Sequence, residues 1–360
     1  MPESHRPSAL KTRVDQVLRD FVREETALLA AIDRQLLPVA EQVRAAVADG
    51  KRLRAAFCYW GWRAAGQPDS EAMVRAAAAM ELVHAAAVVH DDLIDDSPIR
   101  RGVPTAHVAL RQAVATAPGR THVGRGRAEL EAGGRALAML VGDLLMSWAG
   151  QLFAGCGLPA AYLARARPLW ATLARELIAG ECLEILRTRA EPSTHSSLEI
   201  IRYKTAKYTV EHPLLLGGIL GGAPPALLAA FSAYGVPLGE AFQLRDDLLG
   251  VFGDPEQTGK SNRDDLSGSK PTALLAIALD RSLPADREAL RALLGRDGLD
   301  AAGLDRVRDI MERSGARTRV ERMIAERADR ARAAIERAPL HPGAADALTL
   351  LIGAATVRAC

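Results

Sequence analysis

The chain has 360 residues, 46 of them basic and 44 acidic, and its net charge is +2; 49% of the residues are hydrophobic and 4% are aromatic. This composition excludes a disordered chain, collagen and a small disulfide scaffold, and the balanced charge argues against a nucleic-acid partner. Because aromatic residues are scarce, the apolar share comes from alanine, leucine and valine, which favours close-packed helices over strands. The composition therefore predicts an all-α protein.

Helical periodicity runs through most of the chain. Apolar residues recur at three- and four-residue steps from Val14 to Leu36, as in an amphipathic helix. Between 290 and 340, closely mixed acidic and basic residues predict solvated helices joined by ion pairs. The pattern is interrupted at 66–68, 117–126, 191–197 and 253–272. The last interruption is the longest and is polar, which indicates a functional loop.

Two stretches, 213–239 and 136–164, are long enough to span a bilayer. The first contains four prolines and six glycines, and the second has Asp143 near its middle, so we predict buried helices and no transmembrane segment. No repeat or linker divides the chain, which predicts a single domain over residues 1–360.

The cysteines and the N-terminal sequence indicate a cytoplasmic location. The four cysteines lie far apart and lack the spacing of metal ligands: Cys58, Cys156, Cys182 and Cys360. Isolated thiols are typical of a reducing compartment. Because no apolar core follows the charged residues at the N-terminus, no signal peptide is predicted.

The sharpest motif lies at residues 89–102, which read Val-His-Asp-Asp-Leu-Ile-Asp-Asp-Ser-Pro-Ile-Arg-Arg-Gly after an apolar helix. On a helix, Asp91 and Asp95 lie one turn apart, and Asp92 is three residues before Asp95. Carboxylates crowded at a helix C-terminus repel one another and oppose the helix dipole, so cations should neutralise them. By itself the motif also fits an acidic helix end that solvates the turn before Pro98.

A second aspartate pair, Asp246 and Asp247, lies in the apolar segment 242–250. Since an unpaired buried carboxylate is costly, two such pairs favour a shared Mg²⁺, which binds carboxylates and phosphate oxygens. Basic residues flank the breaks between the apolar helices: Lys51, Arg52, Arg54, Arg100, Arg101, Lys204 and Lys260. Carboxylates for a metal ion and cations for phosphate together indicate a polyphosphate ligand, although each basic cluster by itself is typical of a solvated helix end.

The motifs resemble those of the trans-isoprenyl diphosphate synthases (polyprenyl synthetases), and of geranylgeranyl diphosphate synthases in particular. The resemblance implies a single-domain, all-α isoprenoid-synthase bundle around a central cavity, with the motifs at about 50–275 and C-terminal helices at 276–360. The matching motifs are Gly50-Lys51-Arg52-x-Arg54, Asp91-Asp92-x-x-Asp95 with Arg100-Arg101-Gly102, Gly142-Asp143, Lys204-Thr205 and Gln243-x-x-Asp246-Asp247.

The implied activity is a Mg²⁺-dependent condensation. The allylic C–O bond of dimethylallyl, geranyl or farnesyl diphosphate ionises, and isopentenyl diphosphate attacks the cation through its double bond. Loss of a proton to the departing diphosphate then gives an allylic product one isoprene unit longer. The product is an all-trans polyprenyl diphosphate, a terpenoid precursor in isoprenoid biosynthesis. The resemblance also implies a homodimer.

The resemblance implies substrate-binding roles for one group of residues. Isopentenyl diphosphate would be bound by Lys51, Arg54 and His84, with Arg101 closing over it. Arg100 would contact the allylic diphosphate. A lone histidine in an apolar run is usually a core residue, but this one lies two helical turns before the first aspartate, which favours a ligand.

Metal-binding and catalytic roles are implied for a second group. The Mg²⁺ ligands, for three ions with bound diphosphate, would be Asp91, Asp92, Asp95, Asp246 and Asp247. The catalytic residues would be Lys204 and Lys260, which neutralise the leaving group, and Thr205 and Gln243, which line the path of the cation. The second metal motif departs from the family pattern at two places: Gly250 stands where the family usually has a third aspartate, and residues 261–263 lack the usual proline and glycine.

The helix that ends at the first aspartate motif should set the product length. Family members that stop at farnesyl diphosphate usually have an aromatic ring four or five residues before Asp91, where this chain has Ala87 and Ala86. Further up the helix lie Val83 and then Met80, which at about 16 Å from Asp91 is the first bulky candidate for the floor of the cavity. This depth favours geranylgeranyl diphosphate as the product.

Other functions remain open at this point. The product could instead be farnesyl diphosphate or a longer chain (C25 or above). A non-catalytic regulatory subunit of a heteromeric prenyl synthase would typically lack an aspartate motif, and Gly250 keeps this alternative open. Terpene cyclases share the first aspartate motif, but they need an aromatic-lined pocket that this composition disfavours.

Overall fold

A computed structural model of the chain describes residues 7–116, 126–188, 190–253, 270–294, 299–341 and 343–356. These residues are almost entirely helical, which confirms the all-α prediction. The chain forms two compact units. The first unit comprises Met1–Tyr59 and Asp69–Ala160, and the second comprises Trp60–Pro68 and Ala161–Cys360.

The first unit is built from helices and one short hairpin. Its helices are α1 (Pro7–Ile32), α2 (Leu37–Ala48), the first part of α3 (Leu53–Ala64), α4 (Glu71–Ile94), α5 (Ala106–Thr116) and α6 (Arg127–Ala154), with a 3-10 turn at Arg34–Leu36. Between α4 and α5, strand β1 (Ile99–Arg100) pairs antiparallel with β2 (Val103–Pro104).

Helix α4 is central in the first unit. It begins at Ser70, whose side chain accepts a hydrogen bond from the backbone of Met73, and its alanine-rich middle is buried against α1, α2 and α6. Small side chains allow the neighbouring helices to approach closely, which explains how a core with few aromatic rings is filled.

The first helix is shorter than the apolar pattern predicts. It ends at Ile32 rather than Leu36, because Asp33 adopts an extended backbone with φ −159° and its carboxylate accepts a hydrogen bond from the Gln35 backbone. The prediction followed the apolar spacing and missed this helix cap.

The second unit is built from the remaining helices. They are α7 (Ala160–Arg187), α8 (Thr194–Ile200), a π-helix (Ile201–Glu211), α9 (His212–Leu220), α10 (Pro225–Phe252), α11 (Ala273–Arg281), α12 (Pro284–Leu293), α13 (Ala301–Arg313), α14 (Ala316–Glu336) and α15 (Ala344–Thr356). Helix α10 packs against the π-helix, α14 and α15. The predicted ion pairs of the C-terminal helices are confirmed, for example Arg317 with Glu312 at 2.6 Å and Arg332 with Asp329 at 2.7 Å.

The two long apolar stretches fold as separate helices. Residues 213–239 contribute to α9 and to α10, which continues through Pro237 to Phe252, and residues 136–164 contain the end of α6 and the start of α7. By length and apolarity, α4 and α6 could each cross a membrane, with 72% and 44% of the most apolar window buried inside the protein. Core helices pass the same test, so these two properties alone do not make either helix a span.

Candidate active site

The first aspartate motif lies where α4 ends. Asp91 and Asp92 are in the last turn, and Asp95 caps the helix through a 2.9 Å hydrogen bond from its backbone N–H to the carbonyl of Asp91. The carboxylates therefore lie at the negative end of the helix dipole. Their position calls for nearby positive charge.

Arg100 on β1 supplies part of that charge. Its Nε lies 2.7 and 2.8 Å from the two carboxylate oxygens of Asp92, and its Nη2 lies 3.4 Å from Asp91 Oδ2. Burial lowers the pKa of Arg100, but the hydrogen bond to Asp92 and the charges of the three motif aspartates outweigh burial and raise that pKa. Arg100 and Asp92 thus form a tight ion pair, and Asp91 lies at the edge of the pair.

His84 lies two turns earlier on α4. Burial lowers its pKa well below the usual range, and nearby positive charges lower it further, so the imidazole is neutral at neutral pH. The charges belong to Arg54, Arg101, Arg100 and Arg52. We call His84 and these four arginines the arginine cradle. Several guanidinium groups beside a neutral imidazole favour an anionic ligand.

The loop between α2 and α3 and the β1–β2 turn both contribute to the arginine cradle. Lys51 is exposed in the loop, and Arg54 is buried in the first turn of α3. Arg101 has a positive φ of 52° in the β1–β2 turn, and its Nη1 donates to the carbonyl of Asp49 over 3.3 Å. The structure thus brings four of the five predicted substrate-binding residues together in the first unit, and places Lys51 in the adjoining loop.

The segment that carries Arg100 is fixed at both ends. Asp96, with φ 53°, lies 2.6 Å from Arg135 of α6. The hydroxyl of Thr105 donates to the carbonyl of Ser97 over 2.7 Å. Because the segment is fixed to α6 and to itself, Arg100 is held over the aspartate motif.

Gly142, in the Gly142-Asp143 pair of α6, leaves room for the ring of His90 on α4. A side chain at position 142 would overlap the ring of His90, the residue just before the first aspartate. His90 Nε2 lies 3.2 Å from the carbonyl of Met139 and 3.5 Å from Asp143 Oδ1. His90 was not among the predicted site residues; its position beside Asp91 was the available signal.

The predicted chain-length residues differ in burial. Met80, Val83 and Ala86 are buried in the core, whereas Ala87 is partly exposed. Ala87 lies one turn before Asp91 on the same side of α4. Of the four residues, Ala87 is therefore the best placed to contact a ligand that extends from the aspartate motif.

In the second unit, Lys204 of the π-helix lies between two carboxylates of α7. Its Nζ is 2.6 Å from Glu184 Oε1 and 3.0 Å from Glu181 Oε2. The two helices approach closely because a side chain at Gly180 would overlap the backbone of Lys204. Lys270 Nζ lies 4.0 Å from Glu184. The sequence interpretation missed Glu181 and Glu184; two carboxylates three residues apart after a glycine were the signal.

Thr205 and Gln243, two residues with predicted catalytic roles, are in contact. The Thr205 hydroxyl donates to Gln243 Oε1 over 2.9 Å, and Gln243 Nε2 donates to Asp247 Oδ1 over 2.9 Å. Gly239, Gln243 and Asp247 lie at four-residue steps on one face of α10, and a side chain at Gly239 would overlap Ala206 of the π-helix. The glycine thus allows the polar pair to meet.

Asp246 is partly exposed on α10 beside the buried Asp247. The preceding residue, Arg245, forms a two-point ion pair with Glu321 of α14 at 2.7 and 2.6 Å, which fixes the rotation of α10. Gly250 lies one turn after Asp246 on the same helix. Lys260 and residues 261–263 lie outside the described residues.

Comparison with known proteins identifies the family. The sequence model of the polyprenyl synthetase family matches residues 38–311. The chain belongs to the polyprenyl synthetase family. It is 30% identical over 270 residues to a short chain isoprenyl diphosphate synthase of Methanothermobacter thermautotrophicus, covering 75% of this chain and 74% of the relative. It is also 30% identical over 294 residues to the octaprenyl diphosphate synthase of Escherichia coli, covering 81% of each chain.

A solved polyprenyl synthetase structure agrees with the fold. The crystal structure of geranylgeranyl pyrophosphate synthase from Corynebacterium glutamicum, complexed with isoprenyl diphosphate and magnesium, is similar with a TM-score of 0.89 and 33% identity over 96% of this chain and 98% of that chain. Polyprenyl synthetases are trans-prenyltransferases of isoprenoid biosynthesis that act on isopentenyl and allylic diphosphates, and this chain is an enzyme of that class. Because the relatives' products range from short chains to octaprenyl diphosphate, the family leaves the product length open.

The first aspartate motif of this polyprenyl synthetase has donors that suit Mg²⁺, the metal ion that the family uses. Three carboxylates at the end of α4 raise the pKa of Arg100 together, so all three lie within electrostatic reach of its guanidinium. Carboxylate oxygens grouped in this way are the ligands that Mg²⁺ prefers. Asp91 and Asp95, one turn apart, have the spacing to share one ion.

Proposed function

We propose that this trans-prenyltransferase makes geranylgeranyl diphosphate as its main product. The arginine cradle beside the first aspartate motif supports the use of diphosphate substrates, because it places an anion site next to a carboxylate cluster within one unit. A diphosphate ester is a ligand that both features suit: guanidinium groups bind its oxygens directly, and carboxylates bind the metal ion that accompanies it.

Isopentenyl diphosphate is assigned to Lys51, Arg54 and His84, with Arg101 closing over it. A neutral imidazole can donate one hydrogen bond to a phosphate oxygen, and the neighbouring arginines provide the charge that His84 lacks. Arg100 is assigned to the allylic diphosphate, and its ion pair with Asp92 would orient the guanidinium toward that substrate.

Mg²⁺ would be held by Asp91, Asp92 and Asp95 in the first unit and by Asp246 and Asp247 in the second, three ions in total. When bound, Mg²⁺ would stabilise the negative charge that develops on the departing diphosphate. The two carboxylates one turn apart, Asp91 and Asp95, are the best supported ligands, since Asp92 already binds Arg100.

The second unit would serve the leaving group and the carbocation. Lys204 is held between Glu181 and Glu184, which fixes its ammonium group as a donor for the leaving diphosphate. Thr205 and Gln243 present a hydroxyl and an amide whose oxygens can face positive charge, and they are assigned to the path of the cation. Lys260 keeps its predicted role with the leaving group and lies outside the described residues.

The product assignment rests on Ala87. No aromatic ring stands one turn before Asp91, so a tail can pass beside α4 toward Met80. Replacing Ala87 with Phe should shift the product toward farnesyl diphosphate, because the ring would occupy the tail's path. Chromatography of the products checks this, and Leu283→Phe on the exposed surface is the control. An unchanged product distribution in Ala87→Phe would show that the tail runs elsewhere.

The wild-type chain tests the proposal most directly. The purified protein is incubated with isopentenyl diphosphate, Mg²⁺ and dimethylallyl, geranyl or farnesyl diphosphate in turn, and the products are separated by chromatography. Geranylgeranyl diphosphate from at least one starter supports the proposal. Mainly farnesyl diphosphate or chains of C25 or above would correct the product. No condensation with any starter would favour the regulatory-subunit alternative.

A homodimer is proposed for the assembly. Helix α7 leaves an apolar row exposed at three- and four-residue steps, comprising Ile178, Cys182, Ile185 and Leu186. A second copy would cover it, and Ile185→Lys should then give monomers in sedimentation experiments while Leu283→Lys does not. A monomeric wild type would refute the homodimer.

The cytoplasmic location stays a prediction. The single domain also stays a prediction, and it is supported by a family match that includes residues of both units.

A further inference from the structure

The loop before α3 contains an arginine whose side chain turns inward. Arg52 follows Lys51 and precedes Arg54 by two residues, yet its side chain is only 6% exposed. The proposed function assigns Lys51 and Arg54 to isopentenyl diphosphate, whereas it counts Arg52 only among the charges of the arginine cradle and assigns it no contact with a substrate.

Each nitrogen of the Arg52 guanidinium faces a protein oxygen. Nε donates to Asp15 Oδ1 of α1 over 2.7 Å, and Nη1 donates to the carbonyl of Asp49 over 3.3 Å. Nη2 donates to the carbonyls of Val47 and Ala48 over 2.6 and 3.4 Å. These carbonyls belong to the end of α2, where backbone acceptors have no partner within the helix. Arg52 therefore caps α2 with its side chain and ties the cap to α1.

The backbone of Arg52 is in an unusual conformation. Its φ of 55° lies in the left-handed region, which residues other than glycine rarely adopt. Such a conformation persists only where the surroundings hold it, and it is concentrated at functional sites. The four hydrogen bonds of the Arg52 side chain hold this backbone conformation in place.

Two further contacts fix the same loop from other elements. Glu81 of α4 accepts a 2.9 Å hydrogen bond from the backbone N–H of Ala55, and its other oxygen lies 4.0 Å from Arg52 Nη1. Arg101 donates to the carbonyl of Asp49, which Arg52 also contacts. The loop is thus held by α1, α4 and the β1–β2 turn.

We propose that Arg52 is a positioning residue for the isopentenyl diphosphate site. Its buried guanidinium faces protein oxygens rather than a ligand, so it acts by fixing the loop that presents Lys51 and Arg54. A loop fixed in advance loses little conformational freedom when the diphosphate binds, which favours affinity. The inference deepens the proposed function and rests on it.

Arg52→Lys tests the inference because lysine keeps the charge and loses the planar fork. The KM for isopentenyl diphosphate should rise about tenfold, equivalent to about 1.4 kcal/mol. The kcat and the KM for the allylic substrate should change less than about twofold, since Arg52 touches neither reacting group. Calorimetry with isopentenyl diphosphate should show the same loss of affinity without any turnover.

The matched control is Arg13→Lys. Arg13 on α1 also forms a fork, at 3.0 and 3.1 Å from the Asp69 carboxylate oxygens and 2.6 Å from Glu71, within the same unit. Arg13→Lys should lower the melting temperature without changing the KM for isopentenyl diphosphate.

A wild-type KM in Arg52→Lys, or an equal KM rise in both variants, would overturn the inference. If the wild type binds isopentenyl diphosphate but does not condense it, the proposed function fails while the binding comparison still decides the inference; no binding at all would overturn both.

Discussion

The two units organise their polar residues by different physical means. In the first unit, the arginine cradle is presented by turns whose backbones are strained, with positive φ at Arg52, Asp96 and Arg101. In the second unit, Lys204 and Thr205 lie on a helix that glycines of its neighbours allow to pack closely. Charge and hydrogen bonds hold the turns of the first unit, whereas in the second unit the ion pairs and hydrogen bonds of the π-helix depend on close packing of helices. Substitutions at the turns should therefore affect binding in the first unit, and substitutions at the packing glycines should affect geometry in the second.

The largest expected effect comes from Asp246, the partly exposed carboxylate of the second aspartate motif. Asp246→Ala should lower the rate of condensation by about 10²–10³-fold at ordinary Mg²⁺, because charge stabilisation of the leaving group is lost. Asp309→Ala, an exposed carboxylate on α13, is the control and should be neutral. Near-normal turnover by Asp246→Ala would remove the second aspartate motif from the mechanism and leave the first unit with all the metal chemistry.

The second largest expected effect concerns His212, a buried histidine directly after the π-helix. Burial lowers the pKa of His212 to about 4, although Glu176 at 3.1 Å raises it. Between the unfolded value of 6.5 and about 4, the unfolded state binds more protons, so the free energy of unfolding falls as the pH drops. The full difference is about 3 kcal/mol for a buried histidine.

Urea unfolding of wild type and His212→Asn at pH 7 and pH 4.5 measures this contribution. Burial raises the pKa of the neighbouring Glu211, which opposes the trend in both proteins, so the difference between them isolates the histidine. Equal pH dependence in the two proteins would show that His212 is not the titrating group.

The smallest expected effect concerns the close packing of α10 against the π-helix in the second unit. Gly239→Ala should destabilise the protein by about 2 kcal/mol and lower kcat, because its methyl group would overlap Ala206 and displace the neighbouring Thr205. Gly353→Ala in α15 is the matched control: no atom lies within 4 Å of the added carbon, so it should stabilise the helix by about 0.5–1 kcal/mol. Thermal unfolding compares the two, and similar melting temperatures would show that the close approach is not required.

Local patterns made much of this architecture predictable. The helical periodicity and the breakers predicted an all-α chain, and the aspartate motif at the end of α4 follows from residues adjacent in sequence. The pairing of Lys204 with Glu184 joins residues 20 positions apart on different helices, so no local pattern indicates it. The π-helix is likewise absent from the sequence interpretation, because Gly180 and Gly239 that accommodate it lie on other helices.

The inward orientation of the Arg52 side chain shows a further limit of prediction from sequence. In sequence it is one of three basic residues in Lys51-Arg52-x-Arg54, and residue type alone makes all three candidates for binding phosphate. Only the carbonyls at the end of α2 and the carboxylate of Asp15 distinguish Arg52 from its neighbours. Roles within a basic cluster depend on tertiary contacts, and composition cannot separate them.

The π-helix has a consequence for how this chain can change length. Its hydrogen bonds skip one residue more than those of an α-helix, as in the bond from the His212 N–H to the Lys207 carbonyl. Removing one residue from Ile201–Glu211 would restore α-helical spacing, but every side chain beyond the deletion would turn by about 100° relative to those before it. Lys204 and Thr205 would then lose register with Glu184 and Gln243. A one-residue deletion in this segment should therefore disrupt the site even where the deleted side chain has no role of its own.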